Sequence, residues 1–310
     1  MIRVLFWTFA LLAWLDCFSC NAESQLAGKA RIVWDLPGRL ELLGYEWVND
    51  TELVFVQYAR NGGRIGRFDM ANQKCKMLDQ VNLVMDRANM KVRFAEDWSL
   101  SNSHEMLLVR NRTATNTLFC SINIKNAELT KYLPLPEGGN AMWLPDDSGL
   151  VYINSNYRGS SVRIVRPLLS GDTLPIQLPF RLGFPLIIRT NDSCLVAVHA
   201  SGDILYFDFC QALHNSYSCT NVQIKLQTTN VMAAPALSRD GQRLAWIEPI
   251  YNSRTDSLMQ NLFIADCQNK QIRFIGNLAN GDTVSMLRWA MDGQSLSFLQ
   301  NRRIYLIRCK

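Results

Sequence analysis

Residues 142–153 read MWLPDDSGLVYI, and the fold turns on how this stretch is read. A large aromatic, Trp143, leads into a polar turn of Asp146, Asp147, Ser148 and Gly149, and the run Leu150 to Ile153 follows. A tight turn rich in Asp and Gly supplies the positive φ, or the side-chain-to-backbone bond, that a hairpin needs. The short aliphatic and aromatic run after it fits a strand buried on both faces. The stretch is therefore a hairpin: inner strand, turn, second strand.

The same unit recurs along the chain. ALSRDGQRLAWI (236–247) and RWAMDGQSLSFL (288–299) are close copies. EWVNDTELVFV (46–56) is one residue shorter in the turn, DWSLSNSHEMLLV (97–109) is one longer, and IIRTNDSCLVAV (187–198) lacks the aromatic. Aligned on the leading position, the copies begin at Trp47, Trp98, Trp143, Ile188, Leu237 and Trp289, at spacings of 51, 45, 45, 49 and 52 residues. That is about the length of a four-stranded propeller blade. A third strand follows each unit: IGRFDM from Ile65, LFCSINI from Leu118, VRIV from Val162, ILYFDF from Ile204, LFIAD from Leu262 and IYLIRC from Ile304. A more polar fourth strand, such as KYLPL from Lys131 or QIRFI from Gln271, follows in five units. The sixth unit ends at Lys310 one strand short, while RIVWDLP from Arg31 stands before the first unit without a partner. If that strand completes the last blade, the two termini seal the ring and no sheet edge is left open. The expected fold is all-β: a six-bladed β-propeller of four-stranded blades, closed by the N-terminal strand. Long amphipathic helical patterns are absent, and Val81 to Phe94 is expected to hold a turn of helix.

The W-x-x-D-G-x-x-L-x-F turn unit with its short Ile- and Tyr-rich strand resembles the blade motif of TolB-type propellers, which are related to those of prolyl oligopeptidases. The resemblance covers residues 31–310. It implies the blade architecture and an envelope setting. The TolB proteins carry an α/β domain ahead of the propeller, for which only about eight residues are available here between the export signal and the first strand.

The segment MIRVLFWTFALLAWLDCFSCNAES has a basic start at Arg3, an apolar run from Val4 to Leu15 broken only by Thr8, and small residues after it. This is the layout of a secretory signal, and the run is too short to span a bilayer easily. Residues 1–22 are read as a signal peptide and 23–310 as a single propeller domain. Two readings stay open: cleavage after Ala22, or lipid attachment at Cys20. The product is expected in the periplasm or outside the cell, touching a membrane only through such a lipid. Seven cysteines follow the signal: Cys75, Cys120, Cys194, Cys210, Cys219, Cys267 and Cys309. An odd count leaves at least one unpaired or shared between chains. Cys210 and Cys219 flank the polar turn QALHNSYS and form the candidate disulfide; two separate buried thiols are the alternative.

Hydrophobic residues make up 48% and charged residues 19%, a balance that supports a substantial core. The net charge of +5 permits an acidic partner, but without clustered Lys/Arg runs it does not indicate nucleic-acid binding. There is no G-x-S-x-G, no P-loop and no G-x-G-x-x-G after a strand. His104, His199 and His214 are scattered, and Asp50, Asp146, Asp240 and Asp292 fall one to a turn, so turn formation explains them without a metal. No catalytic residue, cofactor or metal is expected. The loops joining second and third strands gather on one face of a propeller, and here they carry Arg60, Arg112, Arg158, Arg254 and Arg302. The expectation is a non-catalytic protein–protein interaction module whose basic rim attracts an acidic protein. The alternatives are an enzyme, or a small-ligand or peptide receptor, using the central channel.

Overall fold

The computed structural model describes residues 30–112, 116–132, 134–136, 139–144, 147–156, 159–166, 176–177, 187–190, 194–198, 203–208, 221–225, 233–252, 257–278 and 284–309. Residues 1–29, with Cys20 and the export signal, lie outside them, as do Cys210 and Cys219.

Within every sheet the paired strands run antiparallel. The strand β1 is Arg31–Asp35. The first sheet holds β2 (Leu42–Asn49), β3 (Glu52–Gln57), β4 (Arg64–Asp69) and β5 (Lys74–Met77). The second sheet holds β6 (Trp98–Leu100), β7 (Met106–Arg112), β8 (Asn116–Asn123), β9 (Leu129–Lys131) and β10 (Leu135–Pro136). The third is β11 (Gly139–Trp143), β12 (Leu150–Asn156), β13 (Gly159–Val165) and β14 (Ile176–Gln177). The fourth is β15 (Ile187–Thr190), β16 (Cys194–Val198), β17 (Asp203–Asp208) and β18 (Asn221–Lys225). The fifth is β19 (Ala233–Leu237), β20 (Arg243–Asn252), β21 (Ser257–Asp266) and β22 (Gln271–Leu278). The last is β23 (Ser285–Trp289), β24 (Ser295–Gln300) and β25 (Arg303–Arg308), with β1 on its outer edge.

The expectation of six four-stranded blades is corrected on one point. Five blades are four-stranded, and the second sheet departs from the pattern with five strands. Both β9 and β10 pair with β8, in registers one residue apart: Lys131 faces Cys120, whereas Leu135 faces Thr117. Pro134 lies between them and has no N–H to give the ladder, so the expected single strand from Lys131 is split there.

The closure by the N-terminal strand is observed. The β1 strand pairs with β25, Arg31 opposite Leu306 and Asp35 opposite Arg303. Trp34 turns inward, stacks on Phe68 at 4.3 Å and meets Phe55 at 4.9 Å, tying the last sheet to the first. The inner strands β11, β15, β19, β23 and β2 follow one another as neighbours around the axis. The leading residues Trp47, Trp98, Trp143, Leu237 and Trp289 are all buried. Two of the indoles pin adjacent sheets together: Trp289 Nε1 donates to the Ala236 carbonyl at 2.9 Å, and Trp47 Nε1 donates to Ser297 Oγ at 2.8 Å.

The turns behave as their residue types require. Asp240 accepts the N–H of Gln242, and Asp292 accepts those of Gln294 and Ser295. Gly241 and Gly293 follow these aspartates at φ of +71° and +58°, where a side chain would be strained. In the first unit Asn49 takes this role by accepting from Thr51, so it is Asn49 and not Asp50 that builds the turn. Asp146 lies outside the described residues. The helix α1 (Asp79–Arg87) occupies the expected segment in the passage from β5 to β6. Its Asn82 amide bonds both backbone groups of Ile65 at 2.8 and 2.9 Å, acting as a substitute strand partner for β4.

Candidate functional site

Two surfaces hold polar side chains in arrangements the core does not require. One is a cavity at the axial mouth on the face of the first-to-second-strand turns. The other is the opposite face, formed by the second-to-third-strand loops.

The axial cavity has a volume of about 240 Å³ and is lined from five of the sheets. Trp47, Trp143 and Trp289, each at or near the end of an inner strand, are among its lining residues together with Met142 and Met291, although the three tryptophans themselves are buried. Glu46 also lines it, but its carboxylate is matched by Arg288 Nε at 2.7 Å across the seam between β2 and β23. Arg239, in the turn after β19, reaches over the axis and donates from Nη2 to the Asn102 carbonyl at 2.9 Å. Asn102 belongs to the second sheet and Arg239 to the fifth, so this bond joins two sheets that are not consecutive in the chain.

The Asn102 turn is itself held by the next sheet. The Asp147 carboxylate accepts the backbone N–H groups of Asn102 at 2.8 Å and Ser103 at 2.7 Å, while Asn102 Nδ2 donates to the Leu144 carbonyl. Sequence reading missed this bridge, because Asp147 resembles one more turn former. The available signal was the doubled Asp146-Asp147, one carboxylate more than a turn needs.

On the opposite face Arg60 and Arg302 are exposed, and Arg112 closes β7 opposite Thr117. Arg158 and Arg254 lie outside the described residues. The structure adds cations that the loop rule did not select. The Gly63 N–H donates to the Val92 carbonyl at 2.6 Å, and Asn111 Nδ2 donates to the Asn89 carbonyl at 3.1 Å. These bonds lay the segment after α1 across the loops of the first two sheets. Lys91 and Arg93 thereby join Arg60 on the same surface, all exposed. Among the described residues, none of these three is in an ion pair, whereas Arg64 and Arg303 are matched by Asp86 and Asp35. Exposed aromatic rings share the face: Tyr58 beside Arg60, Phe94 beside Arg93, and Tyr251 near the end of β20. The sequence MKVRF (90–94) carried this signal, two cations and a terminal aromatic just beyond a short helix.

Among the described residues no group of three or more His, Cys, Asp or Glu side chains could hold a metal ion. Cys75 is an exposed thiol, and Cys120 and Cys309 are buried thiols outside any disulfide. Burial pushes the Cys309 thiol up to about 11. Among the described residues no helix is long and apolar enough to cross a membrane.

This geometry defines an all-β protein of the propeller class. No family model and no curated protein sequence matches the chain. Solved structures resemble it in fold. A protein of unknown function from Bacteroides thetaiotaomicron aligns with a TM-score of 0.54 at 12% identity, over 90% of this chain and 75% of its own. Hydrazine synthase from Kuenenia stuttgartiensis aligns with a TM-score of 0.51 at 13% identity, over 86% of this chain and 75% of its own. A putative TolB from Agrobacterium tumefaciens aligns with a TM-score of 0.50 at 11% identity, over 90% of this chain and 94% of its own. The chain spans 28% of a tricorn protease and 55% of the TolB of Acinetobacter baumannii, both at lower TM-scores.

Proposed function

We propose that this chain is an exported, non-catalytic interaction module that binds an acidic protein through its loop face. In this reading the ring has six blades, the five-stranded second sheet being the remaining one, with its outer strand split at Pro134. Residues 1–22 direct export to the periplasm or beyond, by cleavage after Ala22 or lipid attachment at Cys20. The likeness to a putative TolB supports an envelope setting.

The observation that carries the proposal is the surface shared by Tyr58, Arg60, Lys91, Arg93 and Phe94. Cations with no carboxylate partner among the described residues, beside exposed aromatic rings, match the composition of binding surfaces, where Arg and aromatics are enriched. Such charge mainly speeds encounter with an acidic partner, and the rings supply the buried contact. The test is crosslinking capture of the tagged full-length protein in its host, then affinity measurement on the captured partner. Reversing Arg60, Lys91 and Arg93 to Glu is expected to weaken binding at least about tenfold and flatten its salt dependence. Unchanged affinity sinks the proposal. The axial cavity on the other face favours a second, compatible role in small-ligand binding.

A further inference from the structure

We propose that the buried Asp97–Arg110 pair positions the cationic segment of the loop face, fixing the backbone from which Arg93 and Phe94 meet an acidic polypeptide. The inference rests on the loop-face reading and adds to it two positioning residues that lie beneath the surface.

Asp97 ends a single 3₁₀ turn, Ala95–Asp97, just ahead of β6, and its side chain is 6% exposed. One carboxylate oxygen, Oδ2, accepts the backbone N–H groups of Arg93 and Phe94, each at 3.1 Å. The Asp97 N–H donates back to the Phe94 carbonyl at 3.1 Å. The other oxygen, Oδ1, lies 3.5 Å from both Nη2 and Nε of Arg110, a β7 side chain that is also 6% exposed. Desolvation offsets most of what a buried ion pair gains, so stability alone is a weak reason for one here. An apolar pair of similar volume would fill the space but could not accept the two N–H groups. The geometry therefore ties the backbone of residues 93 and 94 to a side chain of the second sheet.

The residues ahead of them are held in the same manner. Met90 and Val92 are buried while Lys91 and Arg93 are exposed, so the segment turns its apolar side chains to the core and both cations outward. Gly62, at a φ of +118°, lets Lys91 pass close above the first sheet's loop, since a Cβ there would fall 3.3 Å from Lys91 Cβ. The segment is thus anchored to the first sheet through Gly63 and to the second through Asn111 and Arg110. Its backbone is set before a partner arrives, which leaves less ordering to be done on binding.

The probe is poly-L-glutamate, titrated into the full-length protein by calorimetry, with thermal melts to establish that each variant is folded. Reversing Arg60, Lys91 and Arg93 to Glu should weaken binding at least about tenfold; if it does not, the loop-face reading fails and this inference fails with it. Asp97→Ala separates the two. It removes a negative charge, so through long-range attraction alone it would tighten binding of a polyanion. Loss of the fixed backbone should instead weaken binding at least about threefold. In a background carrying Arg93→Gln and Phe94→Ala, Asp97→Ala should have no further effect, as expected of a residue that acts through those two. If Asp97→Ala leaves Arg110 buried alone and does not fold, the double variant Asp97→Ala with Arg110→Met takes its place. It buries no lone charge, keeps the net charge, and should weaken binding by the same factor. Unchanged or tighter binding in the folded variant, or a loss that persists in the Arg93→Gln, Phe94→Ala background, would overturn the positioning role. With the triple reversal still weakening binding, either result would leave the loop-face reading standing.

Discussion

Replacing Trp34 with alanine tests whether the ring is held shut by its N-terminal strand. Trp34 is 3% exposed and stacks on Phe68, a side chain of the first sheet, although its own strand belongs to the last. A buried indole removes on the order of 200 Å² from water, which at about 25 cal/mol/Å² is about 5 kcal/mol. A denatured chain that is already partly compact trims this to about 4 kcal/mol, within the usual cost of a Trp→Ala change in a core. With a urea m-value of about 3 kcal/mol/M, the unfolding midpoint should fall by somewhat more than 1 M. Two controls sit on the same strand. Ile32 is 50% exposed, so Ile32→Ala should cost within about 0.5 kcal/mol. The Asp35–Arg303 pair is 62% and 45% exposed, so Asp35→Asn should cost under about 1 kcal/mol. The assay is urea unfolding followed by far-UV circular dichroism and tryptophan fluorescence. If Trp34→Ala costs less than about 1 kcal/mol, or Ile32→Ala costs as much as Trp34→Ala, the strand is an appendage and the closure argument is wrong.

Gly66→Ala should destabilise by about 1–3 kcal/mol in the same assay, because its Cβ would fall 2.3 Å from Phe55 Cζ inside the first sheet; a neutral result would mean the ring can move aside. Ser297→Ala should cost about 1–3 kcal/mol, since it strips the buried Trp47 indole of its acceptor, and a loss below about 0.5 kcal/mol would deny that this bond joins the sheets. For Asp292, burial works against ionisation, but hydrogen bonds from Gln294 and Ser295 and the charge of Arg308 outweigh it and hold the carboxyl below its usual range. A depressed folded pKa stabilises above the ordinary carboxylate value of about 3.9 and loses that contribution as pH falls through the folded value. Asp292→Asn should therefore flatten the acid limb of the melting temperature against pH, and an unchanged limb would refute the assignment.

The parts of the fold that were legible in the sequence are those whose cause is local. A hairpin is written in consecutive residues, so Trp143 through Ile153 or Leu237 through Ile247 show their turn and their second strand without reference to the rest of the chain. Closure was legible for a related reason: a strand missing at Lys310 and a spare one at Arg31 are both countable. What stayed hidden joins residues far apart in sequence. The Glu46–Arg288 pair spans 242 positions, and Arg239 meets Asn102 across 137. No periodicity reports such pairs, because each depends on which side chains two separate blades bring to one seam. The split of the fourth strand was readable in principle from Pro134, yet KYLPL reads equally well as one strand when only its apolar residues are weighed. On the loop face, counting one arginine per loop found Arg60 and Arg302. It passed over Lys91, Arg93 and Phe94 because they arrive on a connection between blades.

The two mouths of the ring differ in a way that follows from where backbone groups are satisfied. On the turn face, tight turns leave N–H groups that neighbouring side chains claim: Asp147 takes those of Asn102 and Ser103, and Asp292 takes those of Gln294 and Ser295. Arg239 then locks the Asn102 turn from across the axis. The Asp147 and Arg239 bonds tie the Asn102 turn to other sheets, and the Asp292 bonds close their own turn, so the face is fixed in shape. On the loop face the connection around α1 is held by backbone and amide bonds through Gly63, Asn82 and Asn111, which leaves Arg60, Lys91 and Arg93 outside any ion pair among the described residues. Charges held on a rigid frame but not neutralised by it keep their reach toward an approaching protein. The same ring thus places a turn face tied down by its own hydrogen bonds at one end and, at the other, a surface whose described cations are not neutralised by the frame that holds them.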